Sequence, residues 1–540
     1  MSDSLMPPSV LYAKPAVRSR DGLAAAQSRD AAAAGARILA QGGHAVDAAV
    51  AVSLALGTVE PWMSGLGGGG FATLWDAAKR EVRCLDYGMI APQGINPADY
   101  PLTGSPTAEG FFGWPGVLED RNILGPYSIA VPGLVSGLAL AHRTYGRLPW
   151  ADLVQPAIRL AARGLSLDWY GALSLLVEAK GLDRFEATRD LYLPGGRVPQ
   201  PFEEGAAVFL KLGRLIDTLK KLAAPDGPER FYRGDIAEDL IRDLQAAGSR
   251  ITRADLERYQ ARFIDPVEIA YRDATIYAPS GLTAGPTLKR VLGAWAERLP
   301  AIGHARGMGG AKPDAGHYAV YAEALDHAYR DRLQNMGATN KEAADSETRP
   351  SCTSHFCVAD KDGNVVAWTQ TLLSRFGSFV LSPSTGILMN NGIMWFDPAP
   401  GKPNSIRPGA RPLSNMCPTV ALSPRLGALA IGASGGRKIM PSVAQILSFM
   451  VDFGMDLDGA FHCPRIDVSG GEVALVDRRL GQTVVDTIGR RMKAELTDLA
   501  PYPAQFANPS ATQAAPDGMK LGAADLASPW SGAVAPSDLA

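Results

Sequence analysis

The sequence predicts an α/β protein of the α+β type, with helices and antiparallel strands packed in layers. Three stretches carry that prediction. SRDAAAAGARILAQ and HAVDAAVAVSLAL, within residues 28 to 57, read as two apolar helices. CTSHFCVADKDGNVVAWTQTLL (352–373) reads as a β-hairpin, and ALAIGASGGRKIMPSVAQILSFMVDF (428–453) as a strand that turns through a glycine pair into a helix.

Taken from the N-terminus, the first of the two helices is capped by Ser28 and broken by Gly42-Gly43. The next stretch, EPWMSGLGGGGFATLWD, contains a GxGxxG pattern at Gly65, Gly67 and Gly70. A dinucleotide site needs a strand before that pattern and a helix after it. Here a helix and Pro61 precede it and a strand follows, so a structural glycine loop with closely packed backbone is expected. Residues 131–164 read as two helices joined at Gly146-Arg147, 235–260 as further helix, YRDATIYAPS as a strand, and Ala315 to Arg332 as a helix. From Leu333 to Arg349 the chain turns polar, which predicts an exposed mobile segment leading into the hairpin. In the hairpin, one strand ends near Ala359, Asp-Lys-Asp-Gly-Asn makes the turn, and Val365 to Leu372 returns.

Composition narrows the function. The 540 residues are 46% hydrophobic and 20% charged, and 53 Lys+Arg against 55 Asp+Glu leave a net charge of -2. That balance points away from nucleic acid and anionic membranes. No apolar run reaches the roughly 20 residues that span a bilayer, and no signal peptide is seen, so a reducing cytoplasm is the expected compartment. Five scattered cysteines (Cys84, Cys352, Cys357, Cys417, Cys463) and seven dispersed histidines form neither a disulfide framework nor a metal site, and no cofactor is expected.

The chemistry concentrates at the hairpin. A threonine hydroxyl is a poor nucleophile without a base beside it, and an N-terminal threonine supplies its own α-amino group. Thr353 suits that scheme if the chain is cut just before it. Thr369 and Thr371 alternate onto one face of the partner strand, so a hydroxyl there can orient the nucleophile. Gly435 and Gly436, at the start of a helix, offer N–H groups for an oxyanion. Each feature alone has a plainer account: strand-forming threonines and an ordinary strand-to-helix turn.

Several motifs in order resemble the γ-glutamyltransferase (glutathione hydrolase) family of proenzymes: GGHAVDAAVA (42–51), SGLGGGGF (64–71), VPGLVSG (131–137), YGRLPWADLVQPAI (145–158), TSHFCVADKDGNVVAWTQTLLSRFG (353–377), ARPLSNMCPT (410–419) and GASGG (432–436). The resemblance implies a four-layer αββα sandwich of the N-terminal nucleophile hydrolase type. It further implies self-cleavage between Cys352 and Thr353, giving a large subunit (1–352) and a small one (353–540) intertwined in one catalytic unit. By the same resemblance, Thr353 is the nucleophile, Thr371 its support, Gly435 and Gly436 the oxyanion pair, and Ser414 with Asn415 the carboxylate-binding pair.

The chain departs from that pattern where the family holds a glutamyl group. The arginine expected after the strand near 85–95 falls near Pro97, and the polar positions after the hairpin and after Asn390-Asn391 hold Leu373, Gly392 and Trp395. Arg375 or Arg411 remains to meet one carboxylate. The expected substrate is a small-molecule amide with an acyl group other than γ-glutamyl, as in cephalosporin-acylase-like or oxamate-amidohydrolase-like relatives. Water or an amine would accept the acyl group. A genuine γ-glutamyltransferase and an inactive binding protein are the alternatives, and a homo-oligomer is left open.

Overall fold

The hairpin around the threonines forms and sits at the centre of the molecule. In the computed structural model, which describes residues 13–106, 114–203, 206–302, 312–336 and 352–539, strand Cys352–Asp360 pairs antiparallel with Val365–Leu373. The turn closes because the Asp360 carboxylate accepts the N–H groups of Asp362 and Asn364, each at 3.0 Å, while Gly363 takes a φ of 89°.

Both strands lie inside a seven-stranded antiparallel sheet, in the order Arg262–Ile264, Glu81–Tyr87, Gly69–Asp76, Val365–Leu373, Cys352–Asp360, Gly22–Ala26, Gly532–Val534. A second sheet of seven runs Val17–Ser19, Lys520–Ala524, Asn508–Ala514, Gly427–Ser434, Thr419–Ser423, Ala274–Pro279, Pro266–Tyr271. Strand alternation assigns the faces. Cys357, Ala359, Val365 and Ala367 meet Val420, Ala428, Ala430 and Ala514 of the second sheet, small residues throughout. Phe356, Val358, Val366 and Trp368, on the other face, pack with helices Arg29–Ala40 and Ala45–Val59. Beyond the second sheet, Leu429 and Ile431 pack with helices Gly285–Arg298, Ala315–Asn335 and Ile439–Val451. The layers are therefore αββα.

The helix pairs at 28–57 and 131–164 form as expected, the latter as Leu134–Tyr145 and Trp150–Arg163. Ser28 occupies the N-cap position without a capping bond from its side chain, whereas His44 and Asp47 form a capping box for the following helix. Three expectations need correction. YRDATIYAPS is a hairpin corner rather than one strand, because the chain reverses at Arg272 (φ 58°) between Pro266–Tyr271 and Ala274–Pro279. The helical stretch at 235–260 is two helices, Asp235–Ala246 and Arg253–Arg258, separated at Gly248 (φ 96°). Leu333 belongs to the helix, which continues to Asn335. Residues 337–351 of the polar segment lie outside the described residues.

The glycine-rich loop does what close backbone approach requires. Strand Gly69–Asp76 lies beside Val365–Leu373, and a Cβ at Gly70 or Gly68 would run into the carbonyl oxygen of Thr369 or Thr371. Among the described residues no helix is long and apolar enough to cross a membrane.

Candidate active site

Register places Thr353 in a bulge. Cys352 pairs with Leu373 and Ser354 with Gln370, so one residue faces two across the hairpin. The Thr353 side chain is 5% exposed. Its hydroxyl lies 3.5 Å from that of Thr371. The Thr371 hydroxyl donates to the Cys352 carbonyl oxygen and accepts the Leu373 N–H at 2.8 Å. One hydroxyl thus touches the candidate nucleophile and the carbonyl of the bond just before it.

Presenting the Leu373 N–H to Thr371 costs strain. Leu373 has a φ of 88°, and Phe376 and Phe379 follow at 58° and 62°. Non-glycine residues held there cost about 1–3 kcal/mol each and concentrate at functional sites.

The even-numbered residues of the hairpin anchor it to the helical layer. Ser64 donates to the Ser354 hydroxyl at 3.0 Å, and the Gln370 amide donates to Ser64 at 2.9 Å and to the Ser53 carbonyl at 3.1 Å. The odd-numbered His355 faces the second sheet. Its Nδ1 bonds the Thr369 hydroxyl at 2.8 Å, and its ring lies where a Cβ on Gly432 would be. Burial pushes His355 down to about 3, so it is neutral at ordinary pH and serves as packing and hydrogen-bond partner.

Gln27 ties the two sheets together at this point. Its side-chain oxygen accepts the His355 N–H at 3.2 Å, and its amide donates to the Ser434 hydroxyl. Ser434 directly precedes Gly435 and Gly436, which turn the chain with φ values of 131° and 61°. The expected helix N-terminus is preceded by one 3₁₀ turn, Gly436–Lys438, before helix Ile439–Val451 begins.

Ser414 and Asn415 lie together, held by Arg332, which donates to the Ser414 carbonyl at 2.6 Å and to the Asn415 side-chain oxygen at 3.0 Å. Leu373 and Trp395 are both buried in the core shared with the first helical layer. Arg411 is committed elsewhere: it bonds Asp86 at 2.8 Å and the Gly88 carbonyl at 3.1 Å. Arg375 is different. It is 4% exposed, bonds the Tyr170 hydroxyl at 3.2 Å, and lies beside Cys352 and the Glu178 carboxylate, with no hydrogen-bond acceptor on Nε or Nη1 among the described residues. Among the described residues no group of His, Cys, Asp and Glu is arranged to hold a metal.

The fold thus brings Thr353, Thr371 and Leu373 into direct contact and joins them to the Gly435-Gly436 turn through Gln27. Ser414 and Asn415 stand as a separate pair on Arg332. Sequence reasoning missed Gln27, Ser64, Gln370 and Arg332. Gln27 follows the strand Gly-Leu-Ala-Ala-Ala and reads as an ordinary polar residue before a helix. Only the antiparallel pairing of Gly22–Ala26 with Cys352–Asp360 brings it beside His355.

Comparison with known proteins bears on the family and the fold. The Gamma-glutamyltranspeptidase family model matches residues 31–347 and 336–534. The chain is 32% identical to the Acylase ACY 1 proenzyme of Pseudomonas sp. (strain V22), over 95% of this chain and 93% of that protein. It is 31% identical to the glutathione hydrolase proenzyme of Pseudomonas sp. (strain A14), over 83% and 82% respectively. The crystal structure of cephalosporin acylase from Bacillus halodurans shares the fold, with a TM-score of 0.82 at 23% identity and 99% coverage of both chains. With the αββα layers and the threonine bulge in place, these matches along nearly the whole sequence show that the chain belongs to the γ-glutamyltranspeptidase family.

Proposed function

We propose that the chain cuts itself between Cys352 and Thr353, and that Thr353 then carries the acyl group of an amide substrate other than an ordinary γ-glutamyl compound. The observation that carries this reading is the Thr371 hydroxyl, which touches both the Thr353 hydroxyl and the Cys352 carbonyl. In the first step Thr353 Oγ1 attacks that carbonyl carbon, and the Thr371 O–H supports the developing oxyanion. The C–N bond breaks, an ester forms, and the Thr353 nitrogen leaves as a free amine. Water then splits the ester, freeing a 352-residue fragment and a second of 540 − 352 = 188 residues.

In turnover the freed α-amino group takes the hydroxyl proton. The substrate carbonyl is attacked, its oxyanion meets the Gly435 and Gly436 N–H groups, and the amine departs with the proton. Water or a second amine releases the acyl group from Thr353. Leu373 and Trp395 argue against an acyl group with an α-ammonium, since a buried charge unpaired among apolar side chains is heavily penalised. The acyl group is therefore apolar or bears a single acid. The names of the glutathione hydrolase relatives favour the alternative, ordinary γ-glutamyl transfer.

Two measurements test the proposal. Wild type should run as two fragments, the smaller beginning Thr-Ser-His, while Thr353→Ala stays whole and Thr353→Ser still processes. Cleavage at this bond in Thr353→Ala would end the self-processing reading. For specificity, kcat/KM is compared between γ-glutamyl-p-nitroanilide and simple acyl p-nitroanilides. Equal or better turnover of the glutamyl compound restores the alternative.

A further inference from the structure

The chain crosses from the second sheet to the first through residues 525–531, the loop between strands Lys520–Ala524 and Gly532–Val534. Three backbone carbonyls of that loop converge with one hydroxyl on a single point, the Lys14 ammonium. Asp525, Ser528 and Ser531 carbonyl oxygens stand 2.7, 2.6 and 3.1 Å from Lys14 Nζ, and Ser531 Oγ stands at 2.8 Å. An ammonium has three N–H donors, so four oxygens exceed what it can satisfy one to one. Carbonyl dipoles aimed at one point repel one another unless a positive charge sits there. Rings of backbone carbonyls are how proteins replace the water around a bare potassium ion.

The cage is built from both sides. The Asp525 carboxylate accepts the Ser528 N–H at 2.9 Å, and the Ser528 carbonyl accepts the Ser531 N–H at 3.2 Å, which holds the loop's curvature. Lys14 arrives on a fixed segment: the Ala16 N–H donates to the Asp458 carboxylate at 2.8 Å, and strand Val17–Ser19 pairs with Lys520–Ala524. Burial pushes the Lys14 ammonium down from its ordinary value, and the Asp525 charge pushes it back up.

Trp530 stands between two residues of the cage, and its ring reaches the candidate active site. The Trp530 carbonyl accepts the Arg29 N–H at 2.8 Å. Its ring stacks on Tyr170, with centroids 3.9 Å apart and planes 19° apart. Tyr170 is buried, and its hydroxyl accepts from Arg375 beside Cys352.

We propose that Lys14 is a positioning residue, the tethered monovalent cation of the 525–531 loop, and that through Trp530 it fixes Tyr170 as the wall of the site on the Cys352 side of Thr353. This rests on the acyl-enzyme reading above, in which that side receives the acyl group. Removing the lysine opens its cage to potassium or ammonium.

Two experiments test this. In the first, processed wild type, Lys14→Ala and Trp530→Leu are assayed with a simple acyl p-nitroanilide, in potassium, ammonium or tetramethylammonium chloride at matched ionic strength. In tetramethylammonium, which is too large for the cage and has no N–H, Lys14→Ala should show KM raised about 10-fold and kcat changed less than about 3-fold, the pattern of lost uniform binding. Potassium or ammonium should restore about half or more of the lost kcat/KM, by mass action on the emptied cage. Trp530→Leu should show the same rise in KM with no response to the cation, and wild type should respond to none. In the second, thermal melts compare Thr353→Ala with Thr353→Ala/Lys14→Ala in the same salts. Only the double variant should melt higher in potassium or ammonium than in tetramethylammonium. Wild-type kcat/KM in Lys14→Ala without the small cations, a loss that neither cation reverses, or an unchanged KM in Trp530→Leu overturns the proposal. A double variant that fails to fold even in potassium, or melts alike in all three salts, overturns it as well. A wild type that stays uncut on a gel defeats the self-cleavage reading instead, and the melts still decide whether Lys14 fills a cation cage.

Discussion

Leu373 shows how one residue can report on specificity. Its φ of 88° suits Asn or Gly far better than Leu, and its backbone N–H supports Thr371 whatever the side chain. An apolar side chain kept at a strained position is there for what it touches. Leu373→Asn should therefore keep the backbone geometry and process normally, while supplying a polar group for an ammonium. A hydrogen bond to a charged group is worth ~1.5–3 kcal/mol. The variant's kcat/KM for γ-glutamyl-p-nitroanilide, relative to a simple acyl anilide, should rise by about 10-fold or more. An unchanged ratio would remove Leu373 from the specificity argument. Thr369 and Thr371 are legible in the sequence because alternation along a strand assigns its two faces from residue spacing alone, whereas the bulge at Thr353 comes only with the pairing. The strain at Leu373 is not legible either, since nothing in LLSRFG signals a positive φ.

Between elements, the alignment of the two sheets sets how the Thr353 strand lies against the Gly435-Gly436 turn. The Gln27 side chain bonds both His355 of strand Cys352–Asp360 and Ser434. Gln27→Ala leaves a buried N–H and a buried hydroxyl unpartnered, at about 1–3 kcal/mol each. We expect kcat to fall about 10-fold or more with KM little changed, if the lost bonds blur the placement of the oxyanion donors. Gln27→Glu keeps the acceptor for His355 and should recover part of that loss. A Glu variant no better than Ala would reduce Gln27 to packing. At the turn itself, a Cβ on Gly435 would stand 3.0 Å from Ala507 Cα, at a φ of 131° that side chains rarely adopt. Gly435→Val should cost about 100-fold in kcat, the typical effect of a lost oxyanion donor, and near-normal kcat in a folded variant would place the hole elsewhere. The hairpin, the helix pairs and the strand-to-helix turn can be read from local pattern. The sheet order cannot, because it is set by pairings hundreds of residues apart, such as Gly22–Ala26 beside Cys352–Asp360.

At the scale of the whole molecule, burying polar chemistry between layers makes stability depend on pH in two opposed ways. His355 is held at about 3 by burial, against an ordinary 6.5. Its contribution is complete above about 6.5 and is lost as pH falls toward 3, because the unfolded chain takes up the proton first. Glu60 is displaced the other way, to about 8 from 4.5, by burial and then by the Asp168 charge. Its contribution is complete below about 4.5 and is lost as pH rises through 8, where the fold must either hold a buried carboxylate or keep a proton that the unfolded chain has released. Removing the charge should therefore help only on the alkaline side. We expect Glu60→Gln, made in the uncut Thr353→Ala background so that cleavage does not intrude, to match its parent in thermal midpoint near pH 4.5. It should draw ahead steadily as pH rises and hold a constant lead above pH 8, with at most about 5 kcal/mol gained. Thermal melts of the two proteins at a series of pH values measure this directly. A lead that is the same at every pH would mean that Glu60 is not buried in the state that melts.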